Sequence, residues 1–161
     1  VYFNPYKLLG IKPVFSISRA ELDRAYYALQ KATHPDKSSA ISRVEAEIST
    51  AELNRSYQIL KNPVERAKAL ASLFGHTLEV QSNSKDILIE AMHWREAVST
   101  LNPDSPNKEP LKNELESDIS ECLDHIDFAF EQKDYDSLNS LVTRLSFLQK
   151  VKEDMKAKVF A

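Results

Sequence analysis

Glycine occupies only two of the 161 positions, Gly10 and Gly75, and β-branched residues never alternate over a long run, so the chain has few means of making tight turns between strands. It carries helical spacing instead, interrupted at seven prolines. An all-α fold follows from this alone. Residues 2–9 read as a brief opening helix that stops at Gly10, with Pro13 beyond it. Ser18 and Glu21 form a capping box, which predicts a helix from 19 to about 33 with Leu22, Ala25, Tyr26 and Leu29 inward and Arg24, Tyr27 and Lys31 on the far side. A further helix over about 41–61 turns Val44, Ile48, Leu53, Tyr57 and Leu60 to the core. Asn62 and Pro63 then cap and start a fourth helix, which Gly75 ends.

Residues 76–84, HTLEVQSNS, are polar and lack a helical period, so they divide the chain into a domain at 1–75, a linker at 76–84 and a second domain at 85–161. The second domain reads as three helices, about 84–101, 108–131 and 134–160, separated by NPDSPNKEP and by QKD. Short connections favour an antiparallel three-helix bundle.

The charge of −3 is spread along the chain, which leaves none of the basic field that nucleic acid requires, and no apolar run is long enough to span a membrane. Cys122 is the only cysteine, so an internal disulfide or a CxxC metal site is excluded, and its bland role is a small buried helix residue. Such a chain suits a reducing compartment. No signal or transit segment is legible, which favours the bacterial cytoplasm, with the mitochondrial matrix as the alternative.

The stretch QKATHPDKSS interrupts the helical pattern most sharply. Pro35 pushes His34 out of the α region, so the helix must end there and display its neighbours on a connection. His34 as a general base oriented by Asp36 would need a nucleophile, a phosphate cradle or metal ligands, and none accompanies them; His76, His93 and His125 have no ligand spacing. No catalytic residue, metal or cofactor is therefore expected. The remaining alternatives are a plain helix-ending turn and a recognition element for another protein.

The HPDK sequence, followed by AELNRSYQILKNPVERA with Leu53, Asn54, Tyr57, Leu60 and Pro63 in order, resembles a J-domain over residues 2 to about 74. With VERAKALASLFG, LIEAMHWRE and RLSFLQK, the whole chain is similar to the HscB family of J-protein co-chaperones in iron-sulfur cluster assembly. The resemblance implies that His34, Pro35, Asp36 and Lys37, with Arg24, Tyr27 and Lys31 on the preceding helix, engage an HscA-type seventy-kilodalton heat-shock chaperone and stimulate its ATP hydrolysis. Asp36 would pair with a cation of that partner. Tyr27 and Ala28 make the basic face thinner than in many J-domains.

In the second domain Ile87, Ala91, Trp94, Val98 and Leu101 make one apolar stripe, while Leu88, Ile89 and Met92 lie roughly 160° away, beside Glu96. The last helix carries a core stripe of Leu138, Leu141, Val142, Leu145 and Leu148, with Phe147 nearly opposite. A helix apolar on two faces either packs on both or binds something, so a contact with the first domain and a partner surface both stand open. The family resemblance implies that Leu88, Ile89, Met92, Glu96 and Phe147 bind an IscU-type iron-sulfur scaffold protein, the co-chaperone acting as a monomer. The rival within the same class is a bundle that serves a different client or dimerises.

Overall fold

A computed structural model describes residues 3–32, 40–81 and 84–160, the side chains of 40–48 excepted. Among the described residues every regular element is a helix: α1 (Pro5–Leu9), α2 (Arg19–Ala32), α3 (Ala40–Lys61), α4 (Pro63–Leu73), α5 (Lys85–Ser99), α6 (Lys108–Glu131) and α7 (Tyr135–Val159). The chain falls into two units, Val1–Thr77 and Leu78–Ala161.

In the first unit α1 starts at Pro5, later than its apolar run suggests, because the Asn4 side chain accepts from the Lys7 N–H at 3.0 Å and proline is pre-shaped for the first helical position. It ends where Gly10 adopts φ 66°, letting the Gly10 and Ile11 N–H groups return to the carbonyls of Lys7 and Tyr6. The capping box at α2 is seen in its forward half, with Ser18 Oγ accepting from the Glu21 N–H at 3.4 Å. The α3 helix is central, lying against α1, α2 and α4. Leu53, Tyr57 and Leu60 of α3 are buried with Tyr6, Leu9, Phe15, Leu22 and Leu70. Asn62 caps α4 through bonds from Val64 and Glu65, and Gly75 at φ 82° closes it, the Gly75 and His76 N–H groups donating to Ser72 and Ala71.

In the second unit α7 lies against both α5 and α6. This explains why its sequence is apolar on two faces: Leu138, Val142, Leu145 and Leu148 are fully buried, and Val151 and Met155 continue the buried run. Trp94, Val98 and Leu101 from the α5 stripe and Leu115, Cys122 and Ile126 from α6 complete the core. Ahead of α5 the backbone is held to α7 as well, since the N–H groups of Glu79 and Gln81 donate to Asn139 Oδ1 and Thr143 Oγ1 at 3.1 and 3.0 Å. At the far end Lys158 donates to the carbonyls of Val98 and Ser99 at 2.9 and 2.6 Å, placing a cation on the negative end of α5.

The turn from α6 to α7 has a left-handed residue that is not glycine. Lys133 sits at φ 56°, and its N–H and that of Asp134 close onto Phe130 and Ala129, after which Asp134 caps α7 by accepting from the Ser137 N–H. A side chain in that conformation costs roughly 1–2 kcal/mol, part of which glycine gives back as unfolded-chain entropy. Lys133→Gly should therefore stabilise the protein by about 1 kcal/mol, raising Tm by about 2–4 °C in thermal unfolding, whereas Lys133→Ala should bring no such gain.

Candidate partner-binding sites

The α2–α3 hairpin of the first unit is braced on one side and open on the other. Tyr57 donates its hydroxyl to Asp23 Oδ1 at 2.7 Å, and Arg19 donates to the same Asp23 oxygen at 2.9 Å and to the Tyr57 hydroxyl at 3.2 Å. One helical turn pair further on, Tyr26 donates to Asn54 Oδ1 at 2.6 Å and its ring stacks on Tyr57 with centroids 4.2 Å apart. The Tyr57 hydroxyl, and after it Arg19, hold the Asp23 carboxyl below the ordinary carboxylate range, while accepting Asp23 raises the Tyr57 phenol. These ties fasten the start and middle of α2 to the second half of α3, at the end of the pair away from their connection. On the outer side Arg24, Tyr27 and Lys31 are all exposed. His34, Pro35, Asp36 and Lys37 lie outside the described residues, so the structure delivers the brace and the outer face of α2.

In the second unit the buried side of α5 is fixed by Trp94, which is 1% exposed, and the opposite side presents Leu88, Ile89 and Met92 at 47, 55 and 66% exposure. Glu96 is exposed one turn beyond Met92. Phe147 does not project away from the bundle as its position opposite the Leu138–Leu148 stripe suggests: it is half-buried and lines a groove with Ala91, Trp94 and Val98. The physical reason is the central place of α7, whose second face meets α5. Met92 and Glu96 line a shallower surface with His93, and Arg95 and Ser99 border both surfaces, so the Phe147 groove adjoins Met92 and Glu96 in one strip along α5, while Leu88 and Ile89 lie one turn ahead of it on the same helix. Arg95 and Ser99 were legible as neighbours from helical spacing alone, at three and seven residues from Met92, whereas His93, one residue on, was not.

A bidentate ion pair locks the strip's helix in place. Arg144 of α7 donates through Nε and Nη2 to the Glu90 carboxylate of α5 at 3.0 Å each, with Glu121 of α6 at 3.7 Å from Nη1. Both partners are mostly covered, with 20 and 27% of the side chains exposed, so this pair constrains geometry more than a surface bridge does. Behind it, burial pushes the Asp118 carboxyl up and the Cys122 thiol up to about 11, so Cys122 is an inert core thiol. Among the described residues no three histidine, cysteine or acidic side chains converge as metal ligands, and no helix is long and apolar enough to cross a membrane.

The family model of the DnaJ domain matches residues 4–69, and that of the HSCB C-terminal oligomerisation domain matches residues 83–156. A helical unit carrying the J-domain pattern followed by this bundle defines a two-domain J-domain co-chaperone. The chain is 32% identical over 170 residues to the co-chaperone protein HscB homolog of Pseudoalteromonas atlantica, covering 96% of this chain and 95% of that protein. It is 28% identical over 158 residues to that of Neisseria meningitidis serogroup A, covering 93% and 95%. Among solved structures, chaperone HscB from Vibrio cholerae superposes with a TM-score of 0.83 at 25% identity, covering 96% of each chain. Human co-chaperone protein HscB has the same fold, with a TM-score of 0.86 at 22% identity over 96% of this chain and 81% of that one. The chain belongs to the HscB family of co-chaperones.

The exposures separate two kinds of substitution. Replacing Leu88, Ile89 and Met92 together by alanine should change stability by no more than about 1.5 kcal/mol, because exposed sites contribute within about 0.5 kcal/mol each. Trp94→Ala, which empties the core side of the same helix, should cost about 3–5 kcal/mol in denaturant unfolding.

The brace makes a pH prediction. Asp23 has a depressed folded pKa, so its contribution is present above the unfolded value and is lost as pH falls through the folded one. Tyr57→Phe removes the leading cause, and carboxyl-carbon NMR titration should find the Asp23 pKa raised towards that of an ordinary aspartate, with less stability lost on the acid side.

Proposed function

We propose that this co-chaperone stimulates ATP hydrolysis by an HscA-type seventy-kilodalton heat-shock chaperone and brings to it an IscU-type scaffold protein, in iron-sulfur cluster assembly. The observation that carries the reading is the exposure of Leu88, Ile89 and Met92 on one side of a helix that Trp94 anchors from the other. Burying a large apolar side chain contributes about 1.5–3 kcal/mol, so three left in water side by side supply the driving force for a protein contact. Met92 adapts to the partner's shape, Phe147 adds area at the edge of the strip, and Glu96 supplies a charged border.

In the first unit His34, Pro35, Asp36 and Lys37 face the chaperone together with Arg24, Tyr27 and Lys31. Asp36 pairs with a cation of the ATPase, and the brace through Asp23 and Tyr57 keeps both helices from yielding when it does. The chain regulates its partner's chemistry and performs none of its own. The cluster stays on the scaffold, since Cys122 is buried. The setting is the cytoplasm of a bacterium, with one copy of the chain bridging the two partners.

A second reading has the α5 strip join two copies of the chain, and the description of the matching C-terminal model as an oligomerisation domain favours it. Steady-state ATP turnover by an HscA-type chaperone decides between them, measured with the scaffold, with this protein and with both. Synergy that Asp36→Asn abolishes with helical circular dichroism intact, and that the Leu88, Ile89 and Met92 alanine variant weakens about tenfold in scaffold concentration, is the expected result. Stimulation retained by Asp36→Asn overturns the loop assignment, and sedimentation as a dimer that the alanine variant dissociates overturns the scaffold assignment.

A further inference from the structure

Where α6 begins and α7 ends, the two helices leave a cavity of about 180 Å³ that belongs to none of the surfaces above. Its floor is Leu115, Met155 and Phe160, the first two 1 and 2% exposed and therefore fixed in the core. Its rim is Lys112, Lys152 and Lys156, with Glu116 the one acid among the lining residues. Lys108 adds a fourth cation: its ammonium is 5.8 Å from the centroid of the Phe160 ring, and that of Lys112 is 5.1 Å from it. In a chain of net charge −3 this is a local reversal of sign around an apolar hole.

The two properties together narrow the occupant. A free anion would use the lysines and leave the floor wet, and a neutral apolar group would fill the floor and leave the positive field of Lys112, Lys152 and Lys156 unused. Pockets for whole small molecules run to about 300–1,000 Å³, so this one admits a single large side chain. We infer that it docks an acidic segment of another protein, one leucine-sized side chain entering between Leu115, Met155 and Phe160 while flanking carboxylates pair with Lys112, Lys152 and Lys156. The apolar wall beside the ammonium groups lowers the local dielectric, which strengthens each of those pairs. The site lies on α6 and α7 and shares no residue with the α5 strip, so it offers a third contact independent of chaperone and scaffold.

The test is fluorescence anisotropy of the full chain with a labelled peptide of glutamates around one central leucine. Saturable binding is expected, weakened at least about tenfold by alanine in place of the leucine, by Lys112→Glu with Lys152→Glu, and by added salt. The milder pair Lys152→Gln and Lys156→Gln should weaken it in the same direction, which keeps the test valid if charge reversal disturbs folding. An absence of saturable binding, equal affinity for a peptide with lysines in place of the glutamates, or undiminished affinity in the folded lysine variants would overturn the assignment. So would saturable binding of dodecanoate in place of the peptide, which would make the cavity an acyl-chain site.

Discussion

The second unit depends on α7 being covered along both of its long sides. One side contributes Leu138, Val142, Leu145 and Leu148, and the other meets α5 through the groove of Phe147 and Val151. A central helix leaves each flanking helix only one face to bury. On α5 that face is taken by Trp94 and Val98, with Leu101 just past its end, so whatever the opposite face carries must be solvated. Most proteins place charges there; this one places Leu88, Ile89 and Met92. The polar locks at Glu90–Arg144 and at Lys158 then fix the rotation of α5 about its own axis, which hydrophobic burial alone, having no directionality, would leave loose.

The first unit repeats this arrangement with α3 at the centre and a different kind of lock. Apolar residues cover the α3 core face, but near the solvent edge of the α2–α3 contact the tie is polar and aromatic, running through Arg19, Asp23, Tyr57, Tyr26 and Asn54. Partly exposed hydrogen bonds contribute modestly to stability, about 0.5–1.5 kcal/mol each, but they specify register. Register is what matters for a hairpin whose outer face and connection must keep a fixed relation to each other.

Most of the helices were legible because their boundaries are written locally. Ser18, Asn62, Gly75 and Asp134 each act within three residues, so a single sequence carries the whole signal. Asn4 with Pro5 carried the same signal and shows that the apolar run before them is no part of the helix. Lys133 was invisible for the opposite reason, because a left-handed turn that uses lysine lacks the glycine that would mark it. The ties between helices join residues 19 to 60 positions apart, and no periodicity along one helix reveals its partner on another. The α5 strip shows both limits at once. Leu88, Ile89 and Met92 were placed by spacing within their own helix, whereas Phe147 needed the knowledge that α7 is central before its half-buried position beside Trp94 could follow.

The two faces of the bundle proposed as partner sites differ in what they can select. The α5 face exposes Leu88, Ile89 and Met92 beside Glu96 and Arg95, so on the proposed assignment its affinity would come from area and fit and depend little on ionic strength. The cavity between α6 and α7 is narrow, and its lysines attract acidic chains over roughly a Debye length before any apolar contact is made. A face that selects by shape suits a folded protein presented as a body, while a charged hole suits an extended segment that needs guiding to one anchor point. On the proposed assignments a folded partner on α5 and a flexible chain where α6 begins and α7 ends would not compete for each other's residues.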